Sequence, residues 1–267
     1  MNGSTQSYTG LLKNGGKSLK RIKRVLFVGS GKGGVGKSFV ACGLSLRLAS
    51  LGFRTGLFDM DLHGASVPAY LGLRPPIASS SKGLEPLGLG ENLIIMSVSL
   101  LTGNYPVPVL GIDKQSVLDS LFAQTNWGEK KLDFLVVDLP PGTSDELLAA
   151  FALFPKRSSI LLVTTPSPGT LEIVSRLSQL ADAEKIPKEG IVVNMAYSRN
   201  RRSLTYPFGK INAKLIERQL GSKILALIPL ENHVSESPDL KQIMFQPGAI
   251  SMSFEDLTRK IVDHKNQ

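Results

Sequence analysis

From residue 24 onward, runs of Val, Ile, Leu and Phe alternate with segments in which apolar residues recur every three or four positions. The strand candidates are RVLFVGS (24–30), TGLFDMD (55–61), NLIIMSV (92–98), DFLVVDLP (133–140), SSILLVTT (158–165), GIVVNMA (190–196) and KILALIPL (223–230). Most are nearly continuous apolar runs rather than alternating ones, which is the pattern of parallel strands covered on both faces. Amphipathic segments lie between several of them. In SFVACGLSLRLASLG, Val40, Leu44, Leu48 and Leu51 fall at helical spacing and Gly52 supplies a stop. The alternation predicts an α/β fold, a doubly wound, mostly parallel sheet with helices on both faces. Residues 74–91 and 99–111 break the rhythm; rich in Pro, Gly and Ser, they read as surface loops beyond strand ends, where binding surfaces are built.

Length and composition fit one such domain over residues 24–267, since 42% hydrophobic residues in 267 build a sizeable core. No apolar run reaches membrane-spanning length, and the polar start MNGSTQSYTG lacks the apolar core of a secretory signal, so the expectation is a soluble, cytoplasmic protein. The net charge of +9 suggests nucleic acid until it is located: residues 1–24 hold Lys13, Lys17, Lys20, Arg21, Lys23 and Arg24 with no acid, which is six of the nine charges. Residues 1–23 therefore read as a basic flexible tail, with an arm for membrane, nucleic acid or an acidic partner as the alternative. Cys42 is the one cysteine, which excludes an intrachain disulfide and a metal site built from several cysteines of one chain.

The strongest motif is GKGGVGKSFV, residues 31–40, between a hydrophobic strand and a helical pattern. Gly31-x4-Gly36-Lys37-Ser38 is a complete phosphate-loop pattern in its proper setting. Gly31, Gly33, Gly34 and Gly36 let backbone N–H groups, including that of Val35, turn inward, and the start of the following helix, through Phe39, adds its positive end. Lys37 neutralises the β- and γ-phosphates and the Ser38 hydroxyl is placed to ligate Mg²⁺. A hydrolase of this type also needs a carboxylate for the metal shell. Asp138 ends the run Phe-Leu-Val-Val, where an acid is costly to bury unless paired or near a metal. Asp59 and Asp61 end the second strand on the same edge of the sheet; neighbouring His63 reads as a loop residue, since this phosphoryl chemistry requires no histidine.

The extra lysine, Lys32, makes GKGGVGKS similar to the deviant Walker A motif of the ParA/MinD/Mrp class of ATPases. That resemblance implies a nucleotide-sandwiched homodimer in which Lys32 crosses to the phosphates of the second copy, acting like an arginine finger. It also implies that Asp61 positions the hydrolytic water with Asp59 supporting it, that Asp138 is the Walker B acid, and that Asn194 reads the adenine edge beside Pro229 and Leu230. An ordinary turn-forming asparagine is the other reading of Asn194. DMDLHGASVPAYLGL and NWGEKKLDFLVVDLPPGTSDE resemble blocks of the Mrp branch, also called ApbC-type, with Ala65 in place of a proline. Many members of that branch hold an iron–sulfur cluster between two subunits through a C-x-x-C pair. Here the corresponding stretch, NMAYSRNRRSLTYPFGK, has no cysteine and carries Arg199, Arg201 and Arg202. Cluster binding by that route is chemically closed because thiolates are the ligands required, and Cys42, among apolar residues of a helix, reads as a small buried hydrophobe. PVPVLGI (106–112) also departs from the branch's Trp-Arg-Gly-Pro run.

The reading is thus a Mg-ATP-binding, slowly hydrolysing dimeric switch with ATP/ADP and Mg²⁺ as cofactors, no intrinsic cluster and an unidentified client protein. A role in iron–sulfur assembly would use cysteines from another chain. The alternative is a MinD/ParA-like positioning or regulatory ATPase on a membrane surface, nucleoid or protein partner. Its membrane form needs a terminal amphipathic helix, for which SFEDLTRKIVD offers an apolar face but an acidic polar one, so a core-packing helix is the better reading.

Overall fold

The computed structural model describes residues 20–61, 66–74, 77–81, 83–102, 114–142, 145–154, 157–200, 203–231 and 239–264. All seven strand candidates form strands: β1 (Ile22–Gly29), β2 (Thr55–Asp59), β6 (Leu93–Ser97), β7 (Leu132–Asp138), β8 (Ser158–Thr164), β9 (Lys188–Val193) and β12 (Ile224–Leu227). They pair in parallel, in the spatial order β12-β9-β8-β1-β7-β2-β6, while β10 (Ser198–Asn200) and β11 (Ser203–Thr205) pair antiparallel with each other apart from this sheet. From β1 the chain builds first to one side and later to the other, so a topological switch point lies beside β1, where open α/β sheets place their ligands.

The double coverage that the apolar runs demand is present. Along β1, Val25 and Phe27 enter one core while Leu26 and Val28 enter the other. The second core is roofed by α1 (Lys37–Ser50), α2 (Val67–Leu71), α8 (Leu240–Phe245) and α9 (Ala249–Asp263), through residues such as Leu44, Leu71, Met244 and Phe254. The first is roofed by α4 (Lys114–Gln124), α5 (Asp145–Leu153), α6 (Pro168–Ala183) and α7 (Ala213–Leu220), and holds Phe58, Phe122 and Trp127 in mutual edge-on or tilted contact at 5.2–5.9 Å. In α9, Phe254, Leu257 and Ile261 are fully buried, so the face that a lipid surface would need packs on the protein's own core. Among the described residues no helix is long and apolar enough to cross a membrane.

Three sequence readings change. The loop expected at 74–91 contains β3 (Ser79–Ser80) and β4 (Gly83–Leu84), which pair with each other, and β5 (Leu87–Leu89), which joins β6 antiparallel as an eighth strand of the main sheet. Leu87 and Leu89 pack against opposite cores, and both Glu85 carboxylate oxygens accept from Asn126 Nδ2, so tertiary contacts order a stretch whose Gly and Pro content argues for a loop. At the start of the second loop, α3 (Val98–Thr102) buries Val98 and Leu100; residues 103–113, with all of PVPVLGI, lie outside the described residues. Lastly, β1 starts at Ile22, inside the segment assigned to the tail, with Lys23 turned outward to Asp133 at 2.6 Å. Residues 1–19 of the tail lie outside the described residues, as do His63, Ala65, Arg201 and Arg202.

Candidate nucleotide site

The loop between β1 and α1 lies over the carboxyl ends of the central strands. Its glycines do different work. Gly36 has φ +82°, and a Cβ there would meet Asn194 Nδ2 at 2.2 Å; Gly31 is pressed so closely to α6 that a Cβ would lie 2.5 Å from the Ile173 carbonyl. Gly34 also takes a positive φ, whereas Gly33 has open space around it and no such φ. The first turn of α1 has no side-chain cap and no acid, which leaves its N–H groups and positive end for an anion.

Beneath the loop, the buried carboxylate of Asp138 gathers two of the predicted site residues. Lys37 Nζ lies 2.6 Å from Asp138 Oδ1, and Ser38 Oγ donates to Oδ2 at 2.5 Å. Asp138 is fully enclosed and Lys37 is 7% exposed, so this ion pair has little solvent screening. Asp59 stands beside Asp138 in the β2–β7 register, also fully buried, and accepts from the Asp61 N–H and from Ser97 Oγ, each at 3.0 Å. Burial raises the pKa of both carboxyls; the neighbouring Asp138 charge adds to the effect on Asp59, which reaches about 7, while Lys37 holds Asp138 back. The Lys37 ammonium and the Ser38 hydroxyl, both bonded to the Asp138 carboxylate, favour its charged form against that burial.

Lys32, Gly33, Gly34, Gly36, Lys37, Ser38 and Asp61 line one cavity of about 170 Å³. Lys32 is exposed, Asp61 half-buried. Phe39, Asn194 and Pro229 line an adjoining cavity of about 180 Å³. Asn194, the first residue beyond β9, donates through Nδ2 to the Val35 carbonyl at 2.8 Å, so it braces the phosphate loop from the side of this second cavity. Gly31 and Val35 are buried and line neither cavity. Sequence reasoning missed Ser30, Ser66, Tyr70 and Pro141 in the first cavity and Met195, Glu231 and Ile250 in the second. Ser66 and Tyr70 belong to the recognised block DMDLHGASVPAYLGL, whose spacing does not reveal that α2 lies over the loop. A larger depression of about 450 Å³ follows beyond Glu231 and Ile250, but among the described residues no Lys or Arg lines it, so the pull on phosphate belongs to the smaller cavity.

This donor set fits Mg²⁺: a hydroxyl and a carboxylate, both hard oxygen ligands, meet next to the lysine that would hold the phosphates. Cys42, by contrast, is enclosed within α1, and burial, then Asp138 and Asp59, push its thiol well above the usual range, which opposes a metal-binding thiolate.

Comparison with known proteins agrees with this geometry. The family described as NUBPL iron-transfer P-loop NTPase (ParA) matches residues 21–263. An iron-sulfur cluster carrier protein of Saccharolobus solfataricus is 33% identical over 252 residues, covering 91% of this chain and 84% of that protein. A cytosolic Fe-S cluster assembly factor, the NUBP2 homolog of Dictyostelium discoideum, is 35% identical over 226 residues, covering 81% of this chain and 84% of its own. Among solved structures, an ADP-bound nucleotide-binding protein of Archaeoglobus fulgidus superposes with a TM-score of 0.75 at 30% identity, over 91% of this chain and 96% of that one. The cell division ATPase MinD of Pyrococcus furiosus, with a TM-score of 0.65 at 21% identity over 91% and 99%, shares the fold.

Proposed function

Because the chain belongs to the NUBPL iron-transfer P-loop NTPase family, we propose that it serves iron–sulfur cluster assembly or transfer as a Mg-ATP-driven switch whose two shapes differ in affinity for a client. The observation that carries the reading is the convergence of Lys37, Ser38 and Asp138 under the phosphate loop, with Asp61 on the wall of the same cavity. Each group has a task in hydrolysis. The loop N–H groups and α1 bind the phosphate chain, and Lys37 leaves Asp138 to neutralise the β- and γ-oxygens. Ser38 and Asp138 are then free to hold Mg²⁺, which when bound supplies charge neutralisation at the phosphates. Asp61, whose N–H is tied to buried Asp59, orients the attacking water. Exposed Lys32 extends from the cavity rim to the phosphates of a second copy, so that cleavage depends on pairing.

The shape change is useful only if ATP and ADP forms bind the client differently. Cluster ligands on this reading come from the client, since the chain's single thiol is enclosed. Measured ATP hydrolysis tests the mechanism. Lys32→Ala should lower turnover by about a hundredfold or more, as loss of a charge supplied in trans does, while ADP affinity stays near wild type. Undiminished turnover would show that each copy works alone.

A further inference from the structure

We propose that Tyr70 is a nucleoside-contacting residue whose ring closes the junction between the phosphate and base cavities. The assignment rests on the nucleotide-site reading above and deepens it. Tyr70 and Gly36 line both cavities, so the ring stands where a triphosphate chain must give way to sugar and base. Its pose is set from behind: the Tyr70 ring meets Phe39 edge-on at 6.0 Å, and Phe39 meets fully buried Phe254 edge-on at 5.6 Å. Such a stack holds the ring with little conformational freedom left to lose on binding. Burial pushes the phenol's ionisation up, with Cys42 and Asp138 adding to it, so the side chain meets an anionic ligand as a neutral surface.

The backbone places this ring on α2, whose first turn is fixed by Tyr70 N–H donating to Ser66 O at 3.1 Å. Ser66 lines the phosphate cavity with Asp61, so one stretch of chain carries both the water-orienting acid and the sugar-side wall. The nucleoside is therefore read by an element separate from the loop that reads the phosphates. Bare polyphosphate lacks the part that Tyr70 would touch, and this separates the two roles.

The test is calorimetric titration of the protein and its variants with Mg-ADP and with inorganic tripolyphosphate. Tyr70→Ala should weaken ADP by about tenfold and tripolyphosphate by less than about twofold. Tyr70→Phe should bind both like wild type, because the ring is retained. Tyr70→Leu, which keeps an apolar side chain against Phe39 in case the alanine variant folds poorly, should lose ADP affinity as alanine does. Unchanged ADP binding in the alanine and leucine variants overturns the assignment, and so does equal loss of both ligands or a Phe variant as weak as alanine. A wild-type protein that binds neither ligand would instead refute the nucleotide-site reading itself.

Discussion

At the scale of single residues, the site's chemistry is governed by two enclosed carboxylates in register on neighbouring strands. Asp59 has a folded-state value of about 7 against an ordinary 3.8, so the native protein holds its proton more tightly than the unfolded chain does. Its contribution to stability is full below about 4, falls as pH rises towards 7 and is level above that, with a slope approaching about 1.4 kcal/mol per pH unit. Asp59→Asn removes the ionisation. Thermal melts between pH 5 and 8 should show wild type losing stability with rising pH and the Asn variant losing much less; parallel curves would place the proton elsewhere. Asp138 matters differently. Asp138→Ala leaves Lys37 buried without its partner and removes the carboxylate that on the proposed reading holds Mg²⁺, so nucleotide titration should lose its dependence on Mg²⁺ and hydrolysis should fall to background. Gly36 illustrates a residue dictated by its neighbours, where both the positive φ and the 2.2 Å approach of Asn194 exclude a side chain. A match to the loop pattern alone shows only the first reason.

At the scale of elements, the seven parallel strands were legible because continuous Val/Ile/Leu runs have few other uses in a chain of this composition. β5 was not legible: Leu87-Gly88-Leu89 is too short for periodicity, and its pairing with β6 is decided by two leucines finding opposite cores. The place of α2 was hidden for the same reason, and with it the part played by Tyr70. The candidate site followed the same division. Lys37, Ser38, Asp138 and Asp61 could be placed because a motif ties each to the end of a strand or the start of a helix, whereas Met195 and Glu231 reach the second cavity only through the packing of distant loops. α9 joins fold to function, since Phe254 supports Phe39 on the wall of that cavity. Phe254→Ala should cost about 3–5 kcal/mol in denaturant unfolding, and the surviving folded fraction should bind ADP more weakly than tripolyphosphate, relative to wild type. A loss of stability with both affinities intact would separate α9 from the site.

At the scale of the whole molecule, the predicted switch is an assembly event. Asp61→Ala, which on the proposed reading binds ATP but does not cleave it, should elute as a larger species with Mg-ATP than with ADP in sizing chromatography; one elution position for both would count against the sandwich. Anaerobic reconstitution with iron and sulfide should leave the purified chain without a stoichiometric cluster or its visible absorbance, because Cys42 is enclosed. The two margins of the main sheet bear on how such an assembly is reached. One ends in β5, three residues long and antiparallel; the other ends in β12, four residues long with a register irregularity against β9. Neither offers a long, flat ladder of open backbone groups for another chain to extend. Growth by strand addition, the common route from a sheet protein to fibrils, is thereby blunted at both ends, and the nucleotide-dependent pairing proposed above would fall to the loops at the mouth of the crevice.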